Sequence, residues 1–421
     1  MTFAAQPCGA PLSFGELWES LLPIGRDPRT GGYRRYTWTE AGLACRDWFE
    51  TAARDRGLPA AADRNGNLWA WWDPTPGGDG SRAGAVATGS HLDSVPDGGA
   101  FDGPLGVVSA FAAIDLLRER GVTPSRPIAV AAFAEEEGAR FGVACLGSRL
   151  LTGVVTPDEA RALRDGDGVS LAEAMTAAGA DPGRLGPDEE LLGRLDAFVE
   201  LHVEQGQALA VEPGAAIGIA AGIWPHGRWR FVFTGRADHA GTARLADRRD
   251  PMLPYAATVL AARECAERLG TLATFGKVRA EPGGVNGVSS VVTGWLDARA
   301  AGPGDLAGTV TEIRAAAVAA ADRHGVGLAV TTESATPPVG FDLALRGRLS
   351  NVLATAGVPA PVLPTGAGHD AGVLAARVPA AMLFVRNPTG VSHAPAEHAE
   401  TADCEAGVVA LAAVLEDLAC R

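Results

Sequence analysis

No HExxH pair, no CxxC pair and no apolar run of membrane-spanning length occurs in the sequence. The first absence excludes the short helical zinc signature of many metalloproteases. The second leaves six scattered cysteines, Cys8, Cys45, Cys145, Cys265, Cys404 and Cys420, which read as mostly reduced thiols of a cytoplasmic protein. The apolar segment from Ile128 to Ala134 is far short of the roughly 20 residues that a membrane helix needs. The opening MTFAAQPCGAPLSFGELWES has no basic stretch leading into an apolar one, so no secretory leader is expected. Positive charge is also scarce, with 36 basic residues against 50 acidic and a net charge of -14. That balance excludes a general nucleic-acid binder.

What remains is a soluble enzyme or binding protein. The 421 residues are 47% hydrophobic and include 54 glycines and 28 prolines. At roughly 150 residues per domain the length predicts two to three domains with cores that need no disulfide.

FGELWESLLPIG and TEAGLACRDWFETAARDRG read as helices, and NGNLWAWW as a short strand that breaks at the surface turn DPTPGGDGSRAG. AVATGSHLD, PIAVAAFAEEEG and LDAFVELHVEQG are apolar strands that end in charged clusters, with the helix GVVSAFAAIDLLRERG between the first two. Apolar strand cores of this kind predict a covered, partly parallel sheet. Near Ile223 the pattern changes to strand–helix–strand–strand–helix–strand, a small α+β unit with helices on one face. Mixed α/β text then returns. The parse is a larger α/β domain from residues 1–222 and 330–421, with a second domain, 223–329, inserted in it.

Chemistry concentrates at the strand ends. His91 lies in TGSHLDSVPDGGAFDG with Asp93 and Asp102; Glu135, Glu136 and Glu137 follow IAVAAFA; His202 and Glu204 end ELHVEQG; His393 and Glu397 lie in TGVSHAPAEH. A sheet could bring these loops into one crevice, where open α/β sheets place ligands. Imidazoles and carboxylates without a thiolate suit zinc or another divalent first-row metal. Three adjacent glutamates repel one another, and a cation would compensate them. Taken singly, each histidine also reads as a structural residue, and EEE as a solvated face or helix cap.

Five motifs, TGSHLDSVPDGGAFDGPLGV, EEEGARFG, ELHVEQG, GRADHAGT and SHAPAE, together resemble one branch of the dinuclear zinc aminoacylase and carboxypeptidase superfamily. That branch holds N-carbamoyl-L-amino acid hydrolases, β-ureidopropionases and allantoate amidohydrolases. The resemblance implies an α/β catalytic domain with a mixed central sheet and an inserted ferredoxin-like dimerisation or lid domain. It implies two divalent ions, zinc first, with manganese, cobalt or nickel as alternatives. By match, His91, Asp102 and His202 hold one ion, Glu137 and His393 complete the second site, and Asp102 bridges. Glu136 is the general base, and Asp93 orients the ring of His91.

The same match assigns His239, from the lid of a partner subunit in a homodimer, to the tetrahedral intermediate. Arg299 clamps an α-carboxylate, with Asn286 near the same group; Gln205 and His369 are further substrate contacts. The implied reaction is hydrolysis of a linear C–N amide in a small anionic ureido or N-carbamoyl acid, allantoate or an N-carbamoyl-L-amino acid, with release of ammonia. N-formyl-amino acid hydrolysis and an aminoacylase or dipeptidase activity are the alternatives. No nucleic acid or membrane partner is implied. Three departures bear on substrate: Asp97 stands where relatives commonly have Asn, NGVSS lacks a proline, and HAGTARL replaces HAGTTPM.

Overall fold

The computed structural model describes residues 13–74 and 82–420. Cys8 and the centre of the DPTPGGDGSRAG turn lie outside the described residues. The chain divides into two compact units, one up to Ala221 and from Gly340 onward, the other Gly222–Val339.

In the first unit, four strands form the parallel centre of a nine-stranded sheet: Ile128–Phe133, Ala85–His91, Leu195–Val203 and Ala380–Val385, in that spatial order. IAVAAF, AVATGSH and AAMLFV are buried at every position, as expected of strands covered on both faces. Leu68–Trp72 and Ile217–Ile223 flank this centre antiparallel. Helices Pro104–Glu119 and Thr401–Ala419, with Glu40–Asp55, share one apolar core with the sheet. Pro104 starts the first of these at the turn-favoured N1 position, and its side chains are buried almost all round. Phe111 at its centre is fully buried; truncating it to alanine would cost about 3–5 kcal/mol.

The second unit is a four-stranded antiparallel sheet in the order Gly327–Thr336, His226–Thr234, Val291–Arg299, Leu272–Glu281. In chain order this is 4-1-3-2, the ferredoxin-like arrangement. His226–Thr234 alternates buried and partly open positions, so one face packs and the other is solvated. Phe231, Phe233 and Leu296 pack there with Ala262, Ile313 and Ala317, from helices Met252–Leu269 and Pro303–Arg323.

The mixed α/β class with an inserted α+β unit is as the sequence predicts. The inserted unit runs to Val339, ten residues past the expected 329, because Gly327–Thr336 pairs with His226–Thr234 as its fourth strand. Among the described residues, no helix is long and apolar enough to cross a membrane.

Candidate active site

All five expected ligands belong to the first unit, at or just beyond the C-terminal ends of its four parallel strands. His91 is the last residue of Ala85–His91, and Asp102 lies in the loop after it. Glu136 and Glu137 follow Ile128–Phe133, His202 is the penultimate residue of Leu195–Val203, and His393 follows Ala380–Val385. Gly103 makes the crossing of these loops possible. Its φ is +85°, and a Cβ there would lie 2.4 Å from the His91 ring, so any larger residue would displace a ligand.

The ring nitrogens reveal the donor set. His91 Nδ1 lies 3.1 Å from the Asp93 carbonyl and His202 Nδ1 2.9 Å from the Val203 carbonyl. A carbonyl oxygen only accepts, so each Nδ1 carries hydrogen and donates, which leaves the inward Nε2 of each ring as the atom that binds a metal when the ring is neutral. Asp102 Oδ1 faces both of these atoms, 3.6 Å from His91 Nε2 and 3.2 Å from His202 Nε2. Its other oxygen, Oδ2, faces His393 Nε2 at 3.3 Å, and Glu137 Oε2 lies 3.5 Å from that same nitrogen. His91 Nε2, His202 Nε2 and Glu137 Oε1 are buried without a hydrogen-bond partner. Lone pairs so aimed at one another repel unless a cation lies among them.

Two groups fit a metal, therefore: His91, Asp102 and His202, and Asp102, Glu137 and His393. A third grouping of Glu200, His202 and His369 is also close enough. Both Glu200 oxygens, however, already accept hydrogen bonds, from Ser90 Oγ and the Ala371 N–H.

Electrostatics agree with the geometry. Burial raises Glu136 well above the ordinary carboxylate range, and Asp370, Glu137 and Asp93 add to it against His91. Burial, then Asp102, raises Glu137 to about 7. Burial opposes charge on His91, yet Glu136, Asp102 and Asp93 override it and lift the imidazole well above its usual value. This is an excess of buried negative charge, suited to cations.

A second set of side chains holds the expected ligands. The Asp93 carboxylate accepts the backbone N–H groups of Glu136 and Glu137, at 3.2 and 3.1 Å. It is its backbone carbonyl that holds His91, with the carboxylate 3.5 Å from the ring. Glu135 accepts from the N–H groups of Arg140 and Phe141 and closes its own loop. Glu397 Oε2 accepts the N–H groups of Phe101 and Asp102, both at 2.9 Å. Ser392 Oγ lies 2.9 Å from Glu397 Oε1 and 3.0 Å from Asp102 Oδ2. Glu397, Ser392 and Glu200 received no role from the sequence. A glutamate inside the apolar VELHV was the available signal for Glu200.

Among the expected substrate contacts, Gln205 and His369 join this cluster. Gln205 Nε2 donates to Asp102 Oδ2 at 2.8 Å, while its Oε1 is buried without a partner. His369 is buried edge-on to the His202 ring, with centroids 4.5 Å apart. His239, Asn286 and Arg299 belong to the second unit. His239 and Asn286 are exposed on adjacent segments, where Asp238–His239 pairs with Gly287–Val288. Arg299 ends Val291–Arg299, is paired in register with His226, and binds Asp297 at 2.8 Å.

The donor set and its place in the sheet define a metal-dependent hydrolase. The chain belongs to peptidase family M20/M25/M40, whose model matches residues 87–417, and it is an amide hydrolase. It is 37% identical over 404 residues to an N-carbamoyl-L-amino acid amidohydrolase of Geobacillus stearothermophilus, covering 94% of this chain and 96% of that one. It is 33% identical to an allantoate amidohydrolase of Escherichia coli, covering 96% and 98%. A solved amidase of the hydantoinase/carbamoylase family from Burkholderia vietnamiensis superposes with a TM-score of 0.88 at 29% identity, covering 99% and 100%.

Proposed function

We propose that this chain hydrolyses the linear C–N amide of a small ureido or N-carbamoyl acid, allantoate or an N-carbamoyl-L-amino acid, and releases ammonia. The observation that carries the reading is the position of Glu136. Its Oε2 lies 3.6 Å from His91 Nε2, beside the ligand set yet outside both clusters that fit a cation. It is free to take a proton.

In this reading His91, Asp102 and His202 hold one divalent ion, and Asp102, Glu137 and His393 hold the second. Nitrogen and oxygen donors suit zinc, with manganese, cobalt or nickel as alternatives. Two such ions, when bound, acidify water and polarise an amide carbonyl. Glu136 takes the proton of the attacking water and returns it to the leaving nitrogen. Positive charge in the ligand set is what keeps Glu136 ionised against its buried carboxylate neighbours. Gln205 Oε1, buried without a partner, accepts an N–H of the ureido or carbamoyl group. His369, packed on His202, bounds the pocket. Arg299 meets the substrate carboxylate with a planar fork; Asn286, expected near the same group, stands instead beside His239 at the other end of the strand.

The second unit supports a homodimer. His239 and Asn286 stand at the Val291 end of the strand Val291–Arg299, and Arg299 stands at its other end. Eight residue steps at about 3.3 Å put these ends roughly 26 Å apart. One small acid cannot touch both. Arg299 and His239 are therefore assigned to different sites, and the family resemblance gives His239 to that of a partner subunit. Among the described residues, Cys45, Cys145, Cys265 and Cys404 are buried thiols, in keeping with a cytoplasmic setting.

The test is kcat/KM of the metal-loaded protein on allantoate and on N-carbamoyl-, N-formyl- and N-acyl-L-amino acids and dipeptides. Ureido and carbamoyl acids should lead by about 10,000-fold or more, the scale on which a site built for hydrogen-bonding groups rejects their absence. No turnover on any ureido or carbamoyl acid, or a clear lead for dipeptides, would overturn the reading.

A further inference from the structure

We propose that Cys145 is a positioning residue for Glu136, and that its thiol selects the carboxylate oxygen that meets the proton. The inference rests on Glu136 being the proton acceptor. Cys145 Sγ donates to Glu136 Oε1 at 3.3 Å, and among the described residues this is the one side-chain hydrogen bond that Glu136 receives. The other oxygen, Oε2, faces His91 Nε2. With Oε1 tied back, the carboxylate cannot rotate, and Oε2 is presented to the site.

The contact belongs to a built arrangement. The N–H groups of Cys145, Leu146 and Gly147 donate to the carbonyls of Glu136, Glu135 and Ala134, at 2.6, 3.1 and 2.9 Å. This antiparallel set of three bonds fixes the base-bearing loop to the start of helix Leu146–Thr152. Ser148 Oγ in turn lies 3.2 Å from the Cys145 carbonyl and bonds the buried carboxylate of Asp370. Cys145 is 3% exposed with φ +53°, a left-handed conformation that disfavours any residue but glycine, asparagine or aspartate. A cysteine held there against its backbone preference, with its sulfur on a carboxylate, has a side-chain task. The task is one only a donor can perform. Glu136 is otherwise surrounded by carboxylates, with Asp370, Glu137 and Asp93 each opposing its charge, and a thiol donates without adding charge of its own.

The experiment compares Cys145→Ala, Cys145→Ser and Cys145→Gly in the metal-loaded protein, each alone and combined with Glu136→Gln. Loss of a hydrogen bond to a charged group corresponds to roughly a 10- to 150-fold fall in kcat, expected for the alanine and glycine variants with KM within about twofold of wild type. Glycine suits the left-handed backbone, so that variant keeps the fold if alanine does not. Serine restores a donor and should recover most of kcat. In the Glu136→Gln background the same substitutions should cause no further loss, because the thiol acts only through Glu136. Wild-type kcat in both the alanine and glycine variants, beside an inactive Glu136→Gln, would overturn this inference alone. So would a loss that serine does not rescue and that adds fully in the Glu136→Gln background, which is the signature of packing. Undiminished turnover in Glu136→Gln itself would overturn the base assignment first, and this inference with it.

Discussion

The two units carry their functional residues in opposite ways. In the first, His91, Asp102 and His202 are buried to 6% exposure or less; the two rings bond the adjacent carbonyls of Asp93 and Val203, and the Asp102 N–H donates to Glu397 from a loop distant in sequence. In the second, His239 and Asn286 are exposed, and the His239 ring accepts one local bond, from the Gly241 N–H. The difference separates two tasks. Donors that hold cations and move protons must stand in place before substrate arrives, because reorganising them during reaction would cost rate. Groups that recognise a substrate can remain solvated until it is bound.

The largest expected effect breaks the first unit's site. Chelation, or Asp102→Asn, should remove all measurable turnover, since Asp102 faces His91, His202 and His393. Returning a divalent ion should restore the chelated wild type but not the variant. Persistent turnover in metal-stripped protein, checked by elemental analysis, would refute the metal reading. Next is Glu397→Ala, which leaves the Phe101 and Asp102 N–H groups unpaired. Outer partners of this kind are worth about 10- to 100-fold in metal affinity, and stability should fall by about 2 kcal/mol or more in urea titrations. Unchanged affinity would show that the Asp102 loop stands without it.

Arg299→Ala tests the second unit. It should raise KM about 10- to 100-fold through loss of a charge-assisted clamp while metal content stays at wild type. If kcat and KM are both unchanged, Arg299 serves only its partner Asp297. The smallest effect belongs to Asp97→Asn. Asp97 accepts from Arg34 Nε and Nη2 and from Thr30, and an exposed pair of this kind contributes little, because water screens it. Turnover should not change. A large change in substrate preference would mean that this departure from the relatives shapes the pocket.

Much of this division was legible in the residues. Apolar strands ending in SHLD, AEEEG and LHVEQG mark both the sheet and its functional edge, because burial and catalysis demand opposite residue types at adjacent positions. Asp97 was legible as a departure only; its φ of +55° explains why Asn or Asp stands there. Glu397 and Cys145 were not legible as supports. Their partners lie 295 and nine residues away, and no periodicity encodes a bond between loops. The closing strand of the inserted unit was legible in the strand–helix–strand–strand–helix–strand order, but its last residues were not, because Gly327–Thr336 is largely exposed and its apolar pattern is weak.

Turnover of purified mixed dimers tests the division of labour most directly. One chain carries Glu136→Gln and the other His239→Ala, with separate tags so that only the mixed species is isolated. If His239 serves a partner's site, one of the two sites keeps both residues, and each dimer should show about half of wild-type turnover. If both residues act within one chain, both sites are broken. Mixed dimers no more active than either parent variant would contradict the account.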